Sequence, residues 1–237
     1  INTPTQIIHQ HRFLGSSTTL LDPNTATQTM GIFLKARPVF YAVQFAFFLM
    51  GVHGRSLSIT TKPDPDDAAA TARWLVSQNS WGVLNTISSE LGGAPFGNVV
   101  SFSDGLPNKG SGIPYFYLTT LDPTARNALK DERASFTASE FPLKTCGKID
   151  PENPTCAKIT LIGKLNLVDK KSEEAEFARS ALFSKHSEMK GWPKDHDFEV
   201  YKLEIENIFL IDWFGGPKPL TVAEYLQPKL NSMAVSR

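Results

Sequence analysis

The chain has 237 residues, 41% of them hydrophobic and 20% charged, which suits one domain with a closed core and is too short for a large multidomain enzyme. Twenty-four Lys and Arg balance twenty-four Asp and Glu, so no net positive field exists to hold a polyphosphate backbone, and nucleic-acid binding drops out. Sixteen Phe, five Tyr and four Trp, with sixteen Gly and sixteen Pro, describe an aromatic, turn-rich chain closer to a β or α+β protein than to a helical bundle.

Residues 1–29 are rich in Thr, Gln, Ser and Asn and carry no sustained period of 2 or 3.6, so they read as an upstream extension, either a translated leader or a disordered segment. Residues 30–54 read as a secretory signal peptide. Met30 is followed by the basic Lys35 and Arg37, an apolar run over residues 39–52, and short side chains before a cleavage point after Gly54. The run falls short of the roughly 20 residues a membrane-spanning helix needs, so no span is expected after cleavage. The mature domain is then residues 55–237, beginning at Arg55 and nearly neutral.

Within that domain, Asp64-Pro65 offers an N-cap and a first-turn proline, and Ala68, Ala72, Leu75 and Val76 repeat on one face, predicting a helix to about Gln78. Residues 81–88 have strand composition. Residues 99–103 and 115–119 read as paired strands across a loop, with turn signals at Ser103-Asp104-Gly105 and Asn108-Lys109-Gly110. Asp122-Pro123 starts a short helix to about Lys130, and residues 134–139 return to strand. Residues 158–167 alternate, with Ile159, Leu161, Leu165 and Leu167 against Lys158, Thr160, Lys164 and Asn166, which predicts a strand with one wet side. Residues 172–183 form a helix whose first turn carries Glu173 and Glu174 at the positive end of the dipole. In the last strand, residues 198–212, Tyr201, Leu203 and Ile205 hold one phase and Ile208 and Leu210 the other, so a bulge is expected near Asn207. About six strands in antiparallel hairpins with three short helices favour an α+β barrel.

Cys146 and Cys156 are the only cysteines, and export makes a disulfide between them the leading reading, closing a loop stiffened by Pro151 and Pro154. A zinc site is the alternative, but zinc wants closer Cys or His pairs, and no metal is expected. His9, His11 and His53 precede the expected mature domain. His186 and His196, which flank Trp192 and Pro193, read as surface or packing residues. Ser111 sits between glycines without the strand-to-helix elbow that serine hydrolases need, and no Gly-rich phosphate loop is present. Pro95-Phe96-Gly97 reads as shaping a loop, and Phe214-Gly215-Gly216-Pro217 as a turn with positive φ at its glycines. No residue is nominated as catalytic.

Taken in order, Trp81-Gly82 leading to Thr86-Ile87-Ser88, Gly93-Ala94-Pro95-Phe96-Gly97, Ser101-Phe102-Ser103-Asp104-Gly105, Gly110 to Leu118, the Cys146 to Cys156 loop, His186 to Pro193, and Trp213 to Lys218 resemble successive blocks of the CREG family over residues 74–225. The resemblance implies a six-stranded antiparallel split β-barrel of the type that binds flavin mononucleotide (FMN), with short flanking helices, related to pyridoxamine 5′-phosphate oxidases. It also implies a homodimer with the flavin-equivalent pocket between subunits, and a secreted, endolysosomal or vacuolar location. Animal members are regulators of growth, differentiation and lysosome biogenesis without enzymatic activity. The expectation is therefore a non-enzymatic binding or regulatory homodimer with an unidentified protein receptor; the alternative is an FMN-dependent oxidoreductase. In the related oxidases basic residues after the third strand meet the flavin phosphate, and the equivalent positions here are Thr119, Thr120 and Arg126. They supply two hydroxyls but one cation, with Asp122 opposing it, so no cofactor is expected and these three residues are the candidates if FMN binds. No Asn-x-Ser/Thr acceptor occurs, because Asn153-Pro154-Thr155 is excluded by its proline, and delivery through an N-glycan is not expected.

Overall fold

The computed structural model describes residues 60–227; the readings of residues 1–29 and 30–54, the Arg55 start, and His9, His11 and His53 lie outside the described residues. Six strands make a closed antiparallel barrel: β1 Trp81–Ser88, β2 Ala94–Leu106, β3 Lys109–Leu118, β4 Arg133–Ser139, β5 Lys158–Leu167 and β6 Glu199–Ile211, joined in the order β1-β2-β3-β6-β5-β4 with β4 returning to β1. Closure gives every strand a neighbour on both sides, although residues 94–101 of β2 pair with β1 alone. The expected α+β six-stranded barrel is thus the observed one.

Alternation places one residue in two inside. Leu84, Phe102, Phe116, Phe136, Ile159, Leu161, Leu165 and Leu203 are wholly buried, and the Phe102 and Phe116 rings lie 4.6 and 5.3 Å from that of Phe136. Burying a Phe or Leu side chain is worth about 1.5 to 3 kcal/mol, so this interior is the main source of stability. The phase slip in β6 is where the sequence places it. Ile162 pairs with Asn207 and Gly163 with Ile205, so Glu206 is the extra residue. Opposite the bulge, a Cβ on Gly163 would stand 1.8 Å from the Glu204 carbonyl oxygen, which restricts the position to glycine.

Four α-helices flank the barrel among the described residues: α1 Ala68–Gln78, α2 Pro123–Lys130, α3 Glu173–Lys185 and α4 Val222–Leu226. Asp122 caps α2, where the helix was expected to start, accepting from the Thr124 amide, and Ser172, expected as the first residue of α3, is its cap and accepts from the Ala175 amide. The first helix starts later than Asp64-Pro65 indicates. Asp64 makes a turn with Asp66 and Asp67, and the Asp67 carboxylate is the cap, accepting from the Ala70 amide. Two loop readings are corrected. Pro95-Phe96-Gly97 lies inside β2, paired with Ile87, Thr86 and Asn85, and Ser103-Asp104-Gly105 is also within β2, where the register shifts between Ser103 and Gly105. The turn falls at Pro107-Asn108, with Asn108 at φ 61°, and the same Asp-Gly chemistry that marks turns here accommodates a bulge. Gly215 and Gly216 do take positive φ, as expected of their turn. Helix α4 was not anticipated, although Thr221 and Glu224 form a capping box readable as Thr-x-x-Glu.

A second apolar cluster lies between the outer wall and α3, where Tyr115, Val168, Ala175, Ala178, Leu182, Met189 and Val200 are buried. Cys146 and Cys156 form the expected disulfide, both buried. Beneath that loop the Glu140 carboxylate is also buried, accepting from Lys62 Nζ at 2.6 Å, Thr145 Oγ1 at 2.8 Å and the Ala157 amide at 2.8 Å. Although Glu140, Cys146 and Cys156 sit together, both sulfurs are in the disulfide and the carboxylate is fully engaged, so the cluster is structural.

Candidate functional site

A cleft of about 220 Å³ opens where β2 and β3 meet the start of α2 and the segment that follows α3. Asn98, Val99, Val100 and Ser101 come from β2, and Tyr117, Leu118, Thr119 and Asp122 from β3 and the turn into α2. Met189, Trp192 and Phe198 complete it from the segment between α3 and β6, which carries two short 3-10 turns. The last group gives the cleft its character. The Tyr117 ring is nearly parallel to Phe198 (5.1 Å, 24°) and to Trp192 (6.1 Å, 21°), while Phe183 meets Tyr117 edge-on at 5.4 Å. Burial raises the Tyr117 hydroxyl pKa above its ordinary value, with Arg179 pulling the other way, so the ring stays neutral at physiological pH.

The polar end of the cleft is closed on itself. Asn98 Nδ2 donates to Asp122 Oδ2 at 2.9 Å and to Thr124 Oγ1 at 3.0 Å, and the Thr124 amide donates to Asp122 Oδ1 at 2.7 Å. The Thr119 hydroxyl donates to the His196 carbonyl and accepts from the Leu121 amide. Of the three residues nominated for a flavin phosphate, only Thr119 lines the cleft. Thr120 is exposed on the adjoining turn. Arg126 turns away: its Nε donates to Glu90 at 3.2 Å and its Nη1 to the Thr120 and Leu121 carbonyls at 3.0 Å each. The Arg126 guanidinium in turn holds the Glu90 carboxyl below its usual pKa. No Lys or Arg contributes to the cleft lining. Asn98, Tyr117, Trp192 and Phe198 escaped the sequence reading; the aromatic density between Phe183 and Phe198 was the available signal, but which strand those rings would face is decided by the fold.

The histidines do not converge on the cleft as a catalytic pair. His186 Nε2 donates to the Phe102 carbonyl at 2.9 Å, and burial pushes its imidazole pKa down. Beside it, Lys185 donates to the Ser77 and Asn79 carbonyls at the end of α1 and lies 5.0 Å over the Phe102 ring; burial lowers its pKa while Asp104 opposes the shift. These two side chains fasten α3 to α1 and β2. The Ser111 hydroxyl donates to the Asp104 carbonyl and accepts from the Ile113 amide, which gives it a place in the β2–β3 bulge and no base to activate it.

A closed antiparallel barrel with its cleft between two neighbouring strands and the helix after the second defines a split-barrel protein. The family model described as CREG, beta-barrel matches residues 63–227, and the chain belongs to that family. Protein CREG1 of Gallus gallus is 40% identical over 188 residues, covering 77% of this chain and 97% of that protein. Protein CREG1 of Homo sapiens is 41% identical over 167 residues, 69% of this chain and 75% of that protein. Protein CREG2 of Homo sapiens is 40% identical over 169 residues, 70% of this chain and 58% of that protein. Among solved structures, a heme binding protein from Mycobacterium smegmatis has a TM-score of 0.56 at 22% identity, covering 70% of this chain and 62% of that one. The protein Atu2129 from Agrobacterium tumefaciens has a TM-score of 0.54 at 22% identity, covering 70% and 64%. At such identity the likeness is one of fold.

Proposed function

We propose that this is an exported, non-enzymatic CREG protein that acts as a homodimer, its cleft serving binding and not flavin catalysis. One observation carries the reading: the side chains of Asn98, Thr119 and Asp122 at the polar end of the cleft are hydrogen-bonded within the chain, and the nearby cation Arg126 is held by Glu90 and two carbonyls outside it. A flavin phosphate carries nearly two negative charges and needs unengaged cations or amides to compete with water. The homodimer is supported by the outer wall. Cross-strand partners Val99, Val83, Thr137, Thr160 and Phe209 form an uncharged row across five strands, with Val99 66% and Phe209 41% exposed. A two-fold axis through the middle of such a row would lay it on itself, the self-complementary arrangement of an isologous dimer. Export is supported by the signal pattern over residues 30–54 and by a disulfide that an oxidising compartment preserves.

The test is one preparation of the secreted protein examined by sedimentation for mass, by N-terminal sequencing, by visible absorption, and by calorimetric titration with FMN. A colourless dimer that begins within a few residues of Arg55 and binds FMN weakly is expected. A yellow protein with submicromolar FMN affinity lost on Arg126→Ala would establish the FMN-dependent oxidoreductase alternative instead.

A further inference from the structure

We infer that Glu140, Cys146 and Cys156 are a redox-gated site for a divalent cation of the zinc class, shut while the disulfide is intact and opened by a dithiol. The site is separate from the cleft and from the function proposed for it. One ligand atom from each residue is involved, the two sulfurs and a carboxylate oxygen; these atoms lie within 4.8 Å of one another, and all three residues are buried. Tetrahedral zinc, with Zn–S of about 2.3 Å and Zn–O of about 2.0 Å, holds such atoms about 3.5 to 3.8 Å apart, so a small adjustment brings them to coordinating distance. Cysteines ten residues apart do not mark a zinc site by themselves, and the carboxylate that completes this one is brought to them by the fold.

Two of the three ligands stand on the barrel itself. Glu140 directly follows β4, and Cys156 lies two residues before β5. The Glu140 amide donates to the Ala157 carbonyl at 2.8 Å, and the Ala157 amide donates to Glu140 Oε2 at 2.8 Å. Cys146 is carried by the loop, where residues 147–152 are exposed and a Cβ on Gly147 would meet nothing within 4 Å, so the sulfurs have room to separate without disturbing the core. A carboxylate offers about four lone-pair sites. Lys62 and Ala157 take two on Oε2 and Thr145 takes one on Oε1, which leaves one on Oε1 for a cation, in a group already oriented by its donors. Charge sets the gate. Two thiolates, the Glu140 carboxylate, the Lys62 ammonium and a divalent cation together carry no net charge, whereas with the disulfide intact the same cation would bury an uncompensated double positive charge. Opening is a two-electron step: the dithiol is oxidised to its own disulfide, and its two electrons and two protons convert the Cys146–Cys156 bond into two thiols. The cation then binds both sulfurs and displaces both protons.

The test uses the purified protein, reduced with dithiothreitol and freed of it by anaerobic gel filtration, with cobalt(II) and zinc(II) as probes. The reduced protein is expected to take up one cobalt(II) with the sulfur-to-metal charge-transfer and visible bands of a tetrahedral thiolate site, bleached when zinc is added. The oxidised protein is expected to show neither. Zinc at roughly a hundred times its Kd is expected to raise the melting temperature of the reduced protein by about 5 to 11 °C and to leave the oxidised protein unmoved. Reduced Glu140→Gln is expected to bind cobalt at least about tenfold more weakly. Should that variant not hold its fold when reduced, a zinc-dependent shift of a carboxylate stretch in the infrared difference spectrum of the reduced wild type reads the same contact. Absence of cobalt uptake by the reduced protein overturns the inference, and so does equal uptake by the oxidised protein. An affinity unchanged in Glu140→Gln, or a carboxylate stretch that zinc does not move, overturns the part given to Glu140 and with it the site. All of these outcomes leave the non-enzymatic reading of the cleft untouched.

Discussion

Replacing Glu140 tests how the segment before α1 and the disulfide loop are held to the barrel. Its carboxylate is 1% exposed and receives three donors, from Lys62, Thr145 and the wholly buried Ala157. In Glu140→Ala the Ala157 amide is orphaned, which costs about 1 to 3 kcal/mol, and the Thr145 and Lys62 bonds are lost with it. Lys62 retains 26% exposure and a bond to the Thr155 carbonyl, so water recovers part of its loss, and the sum comes to about 3 to 4 kcal/mol. In Glu140→Gln the amide oxygen still accepts from Lys62 and Ala157 and the amide nitrogen can donate to Thr145, so only the charge is removed and about 1 kcal/mol is expected. Urea unfolding with an unchanged m-value measures both, and melting should fall by about 6 to 16 °C for alanine and by 2 to 4 °C for glutamine, on the scale of about 2 to 4 °C per kcal/mol. Glutamine costing as much as alanine, or alanine costing under about 1 kcal/mol, would refute the reasoning.

Substituting alanine for both Cys146 and Cys156 should destabilise the protein by about 2.7 kcal/mol from loop-closure entropy over a separation of ten residues, and non-reducing peptide mapping of the native protein should recover the two half-loops linked. Burial holds the His186 pKa below its ordinary 6.5, so the unfolded chain takes up the proton first as pH falls; its contribution is complete above about pH 6.5 and declines below it. Urea midpoints compared at about pH 7.5 and about pH 5 should therefore fall less in His186→Gln than in the wild type, and an equal fall would disprove the assignment. Gly163→Ala, which drives a Cβ into the Glu204 carbonyl, should cost roughly 3 kcal/mol or more, against about 0.5 kcal/mol or less for Gly191→Ala, where nothing lies within 4 Å; circular dichroism during denaturation reads both.

What could be read along the chain was whatever is local. The alternation in β5, the phase slip in β6, and the start of α2 at Asp122-Pro123 are recorded within a few neighbouring residues, because strand pleat and helix ends depend on nothing farther away. The family resemblance supplied the barrel type, which periodicity alone had left as a barrel of about six strands. Local signals misled where one chemistry serves two geometries: Asp104-Gly105 suits a turn and a bulge alike, and only the pairing of Gly105 with Gly110 shows which is formed. Apart from Thr119 and Asp122, the cleft belonged to the tertiary structure. Thr119 meets the carbonyl of His196 across 77 residues, Asn98 meets Asp122 across 24, and Arg126 finds Glu90 across 36. Whether a hydroxyl, an amide or a guanidinium is free for a ligand depends on the partner that folding brings to it, and a side chain's type states its capacity for a bond without stating where that bond is made.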